Sequence, residues 1–499
     1  VSDDRIRGEK SDMDEEETIV TKLPTGIKGF DLMLEGGIPR GRLLTITGSV
    51  GTGKTVLLNE FLYRGITRYA ENGVFVTFEE VPSDIRRNVG NFNWDYTRLE
   101  KEGKLAFVDF SPILDTTEEI SSDYDPSPII LRIKEAIRTT DAQRIVIDSI
   151  SSLFTQFSNQ GMVRRIIYRI CYELKELGIT GMITAEQPDT GARISGYRIE
   201  EFVTDGVIHM RIITGEQQLI REMCVLKMRG VGYRSGPVQF TITSDGLQVF
   251  PKIGVSPGVA RTDFSKRVKL GIPGLDTALE GGVPVGHIVL VSGNTGSGKT
   301  LMCMQFLQEG LQQGETCIFV ALEEPAQQIR KTAEAHGWDF SEREQKGDLC
   351  FVTTSLIDIL ADKLLTDIVE AVEKTGAKRI VIDSISSIMS ATLNQEKVRQ
   401  FLLQLAAFLK SKGITCLLSY LMPANFGAEK GQLMSALETN AMRLSSVADG
   451  IILLQYVERE QKVEKLLNIL KMRGCNHSRD IILYEIERGG LKIGERFRS

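Results

Sequence analysis

Short, unbroken apolar runs alternate along the chain with longer stretches in which apolar residues recur every three or four positions. LLTI (from Leu43), VFVTF (Val74), LAFVDF (Leu105) and RIVID (Arg144) come first, and IVLVS (Ile288), CIFVAL (Cys317), LCFVTT (Leu349) and RIVID (Arg379) follow later. Runs without polar alternation predict strands buried on both faces. The stretches VLLNEFLYRGITRYAENG and LMCMQFLQEGLQQG carry the helical period. Strand and helix in alternation predict a parallel sheet with right-handed crossovers, an α/β layer fold. Toward the end of each half, VIHMRI, CVLKMRG and VQFTI, and then IILLQYV, LNILKMRG and IILYEI, succeed one another without a clear helix between them. An antiparallel extension of each sheet is expected there.

The same pattern occurs twice because the sequence does. TGIKGFDLMLEGGIPRGRLLTITGSVGTGKT (Thr25 to Thr55) returns as LGIPGLDTALEGGVPVGHIVLVSGNTGSGKT (Leu270 to Thr300), with roughly half its positions identical. FVTFEEVP pairs with FVALEEPA, NWDY with GWDF, RIVIDSISS at Arg144 with the same run at Arg379, and LKMRG at Leu226 with LKMRG at Leu470. A repeat of this length is a whole domain rather than a solenoid unit. The expected organisation is a domain over 19–250, a linker over 251–265 (PKIGVSPGVARTDFS, rich in turn formers) and a second domain over 266–499. Residues 1–18 precede them, and the acidic run Asp12 to Glu17 reads as a solvated, mobile tail.

Composition narrows the compartment and the partners. The seven cysteines are scattered, with no CxxC or Cys/His cluster, so neither a disulfide framework nor a zinc site is expected and a reducing cytoplasm fits. No apolar run approaches the roughly 18 residues that span a bilayer, so no membrane contact is expected. The net charge of −6, with cations interspersed among acids, argues against a general nucleic-acid binder. A local basic stripe remains compatible with that total.

The chemistry sits where strands end. GSVGTGKT (Gly48 to Thr55) and GNTGSGKT (Gly293 to Thr300) both satisfy GxxxxGK[ST] between an apolar strand and a helix. In such a loop the backbone N–H groups of Gly51, Thr52 and Gly53, and of Thr295, Gly296, Ser297 and Gly298, curl around phosphate oxygens. Lys54 and Lys299 reach the β- and γ-phosphates of ATP, and Thr55 and Thr300 hold Mg²⁺. A glycine-rich turn without a ligand is the bland alternative. Asp148 and Asp383, ending RIVID, are expected to orient the metal, against the alternative of solvated strand-end acids. Glu79–Glu80 and Glu323–Glu324 follow the strands VFVTF and CIFVAL, so one carboxylate of each pair is a candidate general base, and Glu323 a candidate metal contact. Acids favoured by a helix N-terminus would give the same pattern. Lys227 with Arg229, and Lys471 with Arg473, are read as alternating on strands and so facing one side, where they would reach the phosphates of a neighbouring subunit. Surface ion pairing is the other reading.

Paired P-loops, doubled glutamates after the second strand and LKMRG in both halves resemble the KaiC family of circadian-clock ATPases and autokinases, from about Leu23 to Arg498. The resemblance implies two tandem RecA-like P-loop NTPase domains, each a mostly parallel sheet flanked by helices. It further implies a double-ring homohexamer with ATP between subunits, slow hydrolysis in the first domain and autophosphorylation in the second. By the same correspondence Asn91, Lys227, Met228, Arg229, Val231, Tyr233, Thr243 and Ser244 would border the first nucleotide. Lys465, Lys471, Met472, Arg473 and Cys475 would border the second, and His336 takes the place of an aromatic near adenine.

The copies diverge before the strand at Asp205 and Asp449, where EEFVTDG faces RLSSVADG. Glu201 and Phe202 stand opposite Ser445 and Ser446, and the resemblance makes these adjacent hydroxyls the phosphoacceptors. A serine pair there would otherwise read as a turn cap. Departures from the family are Ser446 for Thr, Asn440 for a nearby Thr, and an end at ERFRS, where the family continues into the segment that binds KaiA. A KaiB-like partner is therefore expected and KaiA regulation is not. Two other readings compete: a DNA-dependent recombinase or helicase motor, and a ring that ATP merely assembles.

Overall fold

The RIVID runs show how the sheets are covered. Ile145 and Ile147 join the apolar cluster on one face of their sheet and Val146 joins the cluster on the other. Ile380 and Ile382, with Val381 opposed to them, repeat this in the second copy. The computed structural model describes residues 20–111, 127–156, 160–186, 203–214, 219–252, 265–354, 360–392, 395–422, 447–459 and 461–497. Contacts divide the chain into Val1–Pro251 and Lys252–Ser499.

In the first unit β1 (Lys22–Leu23) and β2 (Ile38–Pro39) make a short antiparallel ladder. The main sheet comprises β3 (Leu43–Gly48), β4 (Gly73–Thr77), β5 (Leu105–Asp109), β6 (Arg144–Asp148), β7 (Thr180–Glu186), β8 (Gly206–Thr214), β9 (Leu219–Met228), β10 (Val238–Thr243) and β11 (Gly246–Phe250). Its order is β11-β10-β9-β8-β3-β7-β6-β4-β5. The strands from β8 to β5 are all parallel, and β9, β10 and β11 extend the sheet antiparallel. The predicted architecture is therefore present, including the antiparallel margin.

The second unit repeats it strand for strand. After the ladder β12 (Arg267–Val268) with β13 (Val283–Pro284) come β14 (Ile288–Gly293), β15 (Cys317–Ala321), β16 (Leu349–Thr353), β17 (Arg379–Asp383), β18 (Thr415–Leu421), β19 (Gly450–Arg459), β20 (Lys462–Met472), β21 (Ile482–Glu487) and β22 (Gly490–Arg496). Read from β22, the order is β22-β21-β20-β19-β14-β18-β17-β15-β16, the same permutation.

Helix Lys54–Tyr69 buries Leu57, Leu58, Phe61 and Leu62 on one face of the first sheet. Helices Ser127–Thr140 and Gln160–Glu176 cover the other with Ile133, Ile137, Ile166 and Ile170. An arginine opens each RIVID strand, and both are fully buried: Arg144 pairs with Glu71 at 2.5 Å, and Arg379 pairs with Glu315. Carbonyls of Phe61 and Phe306 accept further guanidinium protons, so each strand is fastened to the helix that follows its phosphate loop. Among the described residues no helix is long and apolar enough to cross a membrane.

Candidate nucleotide site

Both glycine-rich loops join a central strand to a helix. Gly48 closes β3 and Gly53 precedes helix Lys54–Tyr69, while Gly293 closes β14 and Gly298 precedes helix Lys299–Gln312. Gly53 and Gly298 have φ of +104° and +93°, and a Cβ there would come 2.7 Å from Ile242 Cδ1 or 3.0 Å from Ile486 Cδ1. Only glycine lets the loop curl this tightly against the sheet, which leaves backbone N–H groups converging at the helix N-terminus, where an anion is favoured. Thr52 and Ser297 brace the curl by donating to Ser49 O (2.9 Å) and Asn294 O (2.8 Å). Gly51, Thr295 and Gly296 form its exposed crest. Lys54 Nζ lies along the loop, donating to Gly48 O (2.8 Å) and Ser49 O (2.9 Å), and Lys299 Nζ donates to Asn294 O at 2.9 Å. Burial pushes the Lys299 ammonium below its ordinary pKa, against the opposing pull of Asp383 and Glu323.

Parallel pairing brings the acids to the same edge. Thr55 Oγ1 donates to Asp148 Oδ2 at 2.7 Å, and Thr300 Oγ1 donates to Asp383 Oδ2 at 2.7 Å. Thr184 and Ser419 donate to the other oxygens of the two aspartates. Burial raises both Asp148 and Asp383, and these hydroxyls oppose the rise. Within each glutamate pair the members differ. Glu79 accepts from Ser149 (2.9 Å) and Ser152, and Glu323 accepts from Ser384 and Ser387 (3.4 Å). Glu80 and Glu324 lie beside them, their carboxyls raised by burial and then by Asp148 and Asp383. The sequence reading missed all of these clamping hydroxyls. Their signal was the repeated SISS after each aspartate, together with Thr184 and Ser419 at matching places on β7 and β18.

The remaining candidates divide between two ends of each sheet. Thr243 and Ser244 turn from β10 to β11, next to Ile242, which touches the first loop; Lys465 lies opposite Tyr456, whose hydroxyl lies beside Gly296. These share the phosphate-loop edge. Lys227 and Lys471, by contrast, pair with Val207 and Ile451 at the start of β8 and β19, whereas the loops leave β3 and β14 beside Met210 and Leu454. That is three residues farther, about 10 Å along the strand. Met228, Arg229, Val231 and Tyr233 continue away from the loop, as do Met472, Arg473 and Cys475. The strands end at Met228 and Met472, so the expectation that each arginine alternates with its lysine on the strand is corrected: Arg229 and Arg473 lie one residue beyond it. Asn91 and His336 follow helices Pro82–Gly90 and Ala326–Ala335; the neighbouring Phe92 stacks on Trp94 (4.7 Å between centroids), and His336 on Trp338 (5.5 Å). Glu201, Phe202, Asn440, Ser445 and Ser446 lie outside the described residues, as do the expected tail and most of the linker.

A family model described as "ATPase: KaiC" matches residues 23–253 and again 268–497. The chain belongs to the KaiC family. Curated relatives agree over nearly the whole length. The circadian clock protein KaiC3 of Synechocystis sp. is 35% identical over 98% of this chain and 94% of its own. The circadian clock oscillator protein KaiC of Thermostichus vulcanus is 36% identical over 96% and 90%, and that of Rippkaea orientalis 37% over 96% and 90%. As a KaiC-family ATPase the chain uses ATP. Among the described residues no group of three His, Cys, Asp or Glu side chains could hold a metal ion by itself. The donors at each loop are hard oxygens, a threonine hydroxyl bonded to a buried aspartate. This set fits Mg²⁺, which keeps few protein ligands and takes phosphate oxygens.

Proposed function

We propose that the chain is a KaiC-type clock or signalling protein. It assembles as an ATP-dependent homohexameric double ring, hydrolyses ATP in its first copy and phosphorylates Ser445 and Ser446 in its second. One observation supports the reading: each lysine–arginine pair lies at the end of the sheet remote from its own phosphate loop, so these cations would suit a neighbour's nucleotide better than their own. Mg²⁺, held at Thr55 and at Thr300 with Glu323 nearby, would neutralise charge on the β- and γ-phosphates. The chain's own residues do the rest. Lys54 and Lys299 exchange their loop carbonyls for phosphate oxygens. In the first copy Glu79 or Glu80 orients water and accepts its proton. In the second, Glu323 or Glu324 accepts the serine proton while Oγ forms a bond to the γ-phosphorus, and the bond from that phosphorus to the bridging oxygen of ADP breaks. Catalysis here is chiefly positioning and charge stabilisation. A KaiB-like protein fits as a partner of the first copy.

Light scattering with and without ATP tests the assembly: hexamers are expected with ATP, and Arg229→Ala and Arg473→Ala should weaken turnover or assembly. Monomers at saturating ATP would end the trans reading. Intact-mass analysis after incubation with ATP and Mg²⁺ should find phosphate that Ser445→Ala with Ser446→Ala abolishes, with first-copy hydrolysis kept. The DNA-motor reading draws on one surface, a groove lined by Arg164, Arg165, Tyr168, Arg169, Tyr172 and Val203, since cations interleaved with aromatics suit a single strand. ATP turnover unchanged by single-stranded DNA is expected, and stimulation would favour the motor.

A further inference from the structure

The two copies hold the aspartate ahead of β8 and β19 with different cations. Asp205 and Asp449 are both buried, and each caps the start of the central strand by accepting from Leu43 N (3.4 Å) or Ile288 N (3.1 Å). Each also takes one lysine from the long helix before β7 or β18: Lys175 at 3.0 Å, Lys410 at 2.9 Å. The backbone N–H of Arg229 donates to Asp205 O, and that of Arg473 to Asp449 O, both at 2.9 Å. Lys227 and Lys471 bind the carbonyls of Thr204 (2.7 Å) and Ala448 (2.8 Å). Up to this point the copies superpose in chemistry.

They part at the second cation. In the first copy it is Arg42, 3.2 Å from Asp205 Oδ1. The matching residue in the second is His287, buried, with Nε2 3.0 Å from Arg473 O; burial lowers its pKa against the pull of Asp449, so a weakly basic imidazole stands where the first copy has a guanidinium. Arg473 itself fills the place, its Nη1 3.2 Å from Asp449 Oδ1. Arg229, exposed at the equivalent position, makes no side-chain ion pair among the described residues.

We infer that the Arg42/His287 exchange sets the readiness of the two trans arginines: Asp449 tethers Arg473 within its own subunit, while Arg42 occupies Asp205 and leaves Arg229 available. The inference rests on the proposed trans role of these arginines. Asp449 is the positioning residue, acting through Arg473, and position 287 matters only by bringing no cation of its own onto that carboxylate. A tether competes with the neighbour's phosphates, so the apparent affinity of the second ring for its nucleotide falls by the fraction of time Arg473 is held. The Arg473 side chain is 52% exposed, so the tether is of the modest, partly solvated kind and a few-fold effect is expected.

The test uses the full chain with ATP and Mg²⁺, reading the ATP concentration for half-maximal ring assembly and the steady-state turnover. His287→Arg should lower that concentration about two- to fivefold by taking over Asp449, whereas His287→Gln, which adds no cation, should match the parent. Introduced into Arg473→Ala, His287→Arg should have no further effect. Because position 287 is buried and an arginine there strains the fold, Arg42→His provides the reverse: Arg229 should swing onto Asp205, the concentration should rise by a similar factor, and the change should vanish in Arg229→Ala. If Arg473→Ala and Arg229→Ala change neither assembly nor turnover, the trans reading falls and the tether with it. If they do, but His287→Arg matches His287→Gln and Arg42→His is silent, or if the effects persist without the arginines, the tether alone is overturned.

Discussion

At position 60 of the first copy a buried glutamate accepts from Leu247 N at 2.7 Å and pairs with Arg64 at 3.3 Å. At the matching position of the second copy Gln305 accepts from Leu491 N at 2.8 Å, and the place of Arg64 is taken by Glu309. The exchange of Arg42 for His287 is of the same kind. Beside these differences, the parts around the two glycine-rich loops coincide, down to a threonine–aspartate hydrogen bond of 2.7 Å in each copy. Duplication has thus kept the hydrogen-bonded threonine–aspartate pair at each loop and varied the residues that support it. The loops themselves differ only at Ser49/Asn294, Val50/Thr295 and Thr52/Ser297, so under the proposed function a division of labour between the copies would draw chiefly on the supply of a nucleophile, the placement of a trans cation and the charge inside the supporting core.

The sharpest way to break this comparison is to remove the carboxylates beside the two loops. Replacing Glu79 and Glu80 with Gln should cut steady-state hydrolysis by a factor of about 10² or more, as expected when a general base is lost. Replacing Glu323 and Glu324 should instead stop phosphate incorporation and leave most bulk hydrolysis intact. ADP release and phosphopeptide mass analysis read the two activities separately. Similar losses of hydrolysis from both double variants would mean that the copies share the work.

The same contrast explains what the chain discloses before it is folded. Both phosphate loops, the RIVID aspartates and the late antiparallel strands were legible because each is a local pattern of fixed spacing. The strands TGMITAE and TCLLSYL were not singled out, although β7 and β18 lie between β3 and β6 and between β14 and β17. The chemistry in them is a single hydroxyl, Thr184 or Ser419, whose meaning depends on an aspartate 36 residues away. Long-range charge pairs were equally hidden: Arg144 opens an apolar strand, and only folding brings Glu71 to it. Which end of the sheet Lys227 and Lys471 occupy follows from register across β8–β9 and β19–β20, and a run such as LKMRG does not contain that information.

Gln305→Glu tests whether the second core tolerates the charge that the first one carries. The new carboxylate would be buried, with Glu309 one helical turn away in place of an arginine, so a loss of roughly 3 kcal/mol at neutral pH is expected. Protonation would relieve it. The penalty should therefore shrink as the pH is lowered, and thermal unfolding of the second copy at several pH values measures it. A loss independent of pH would indicate a packing fault rather than a charge.

Glu60→Gln is the reverse exchange and should have the smallest effect. Burial raises the Glu60 carboxyl above its ordinary value, against the lowering effects of the Leu247 N–H and Arg64. With the folded pKa above the unfolded one, the acid's favourable contribution is fully present below the unfolded pKa of 4.5 and is lost as pH rises through the raised value. Glutamine has no such dependence, and its amide oxygen can accept the Leu247 N–H as Gln305 accepts that of Leu491. The variant should therefore gain on the parent as pH rises across that window, then run parallel to it above. Because Arg64 already compensates part of the burial cost, the difference should stay within about 1 kcal/mol. Thermal unfolding of the first copy between acid and neutral pH gives the sign. A parent that stays ahead of Glu60→Gln at neutral pH would mean that the Arg64 pair outweighs burial, and that the first core depends on its charge where the second does without one.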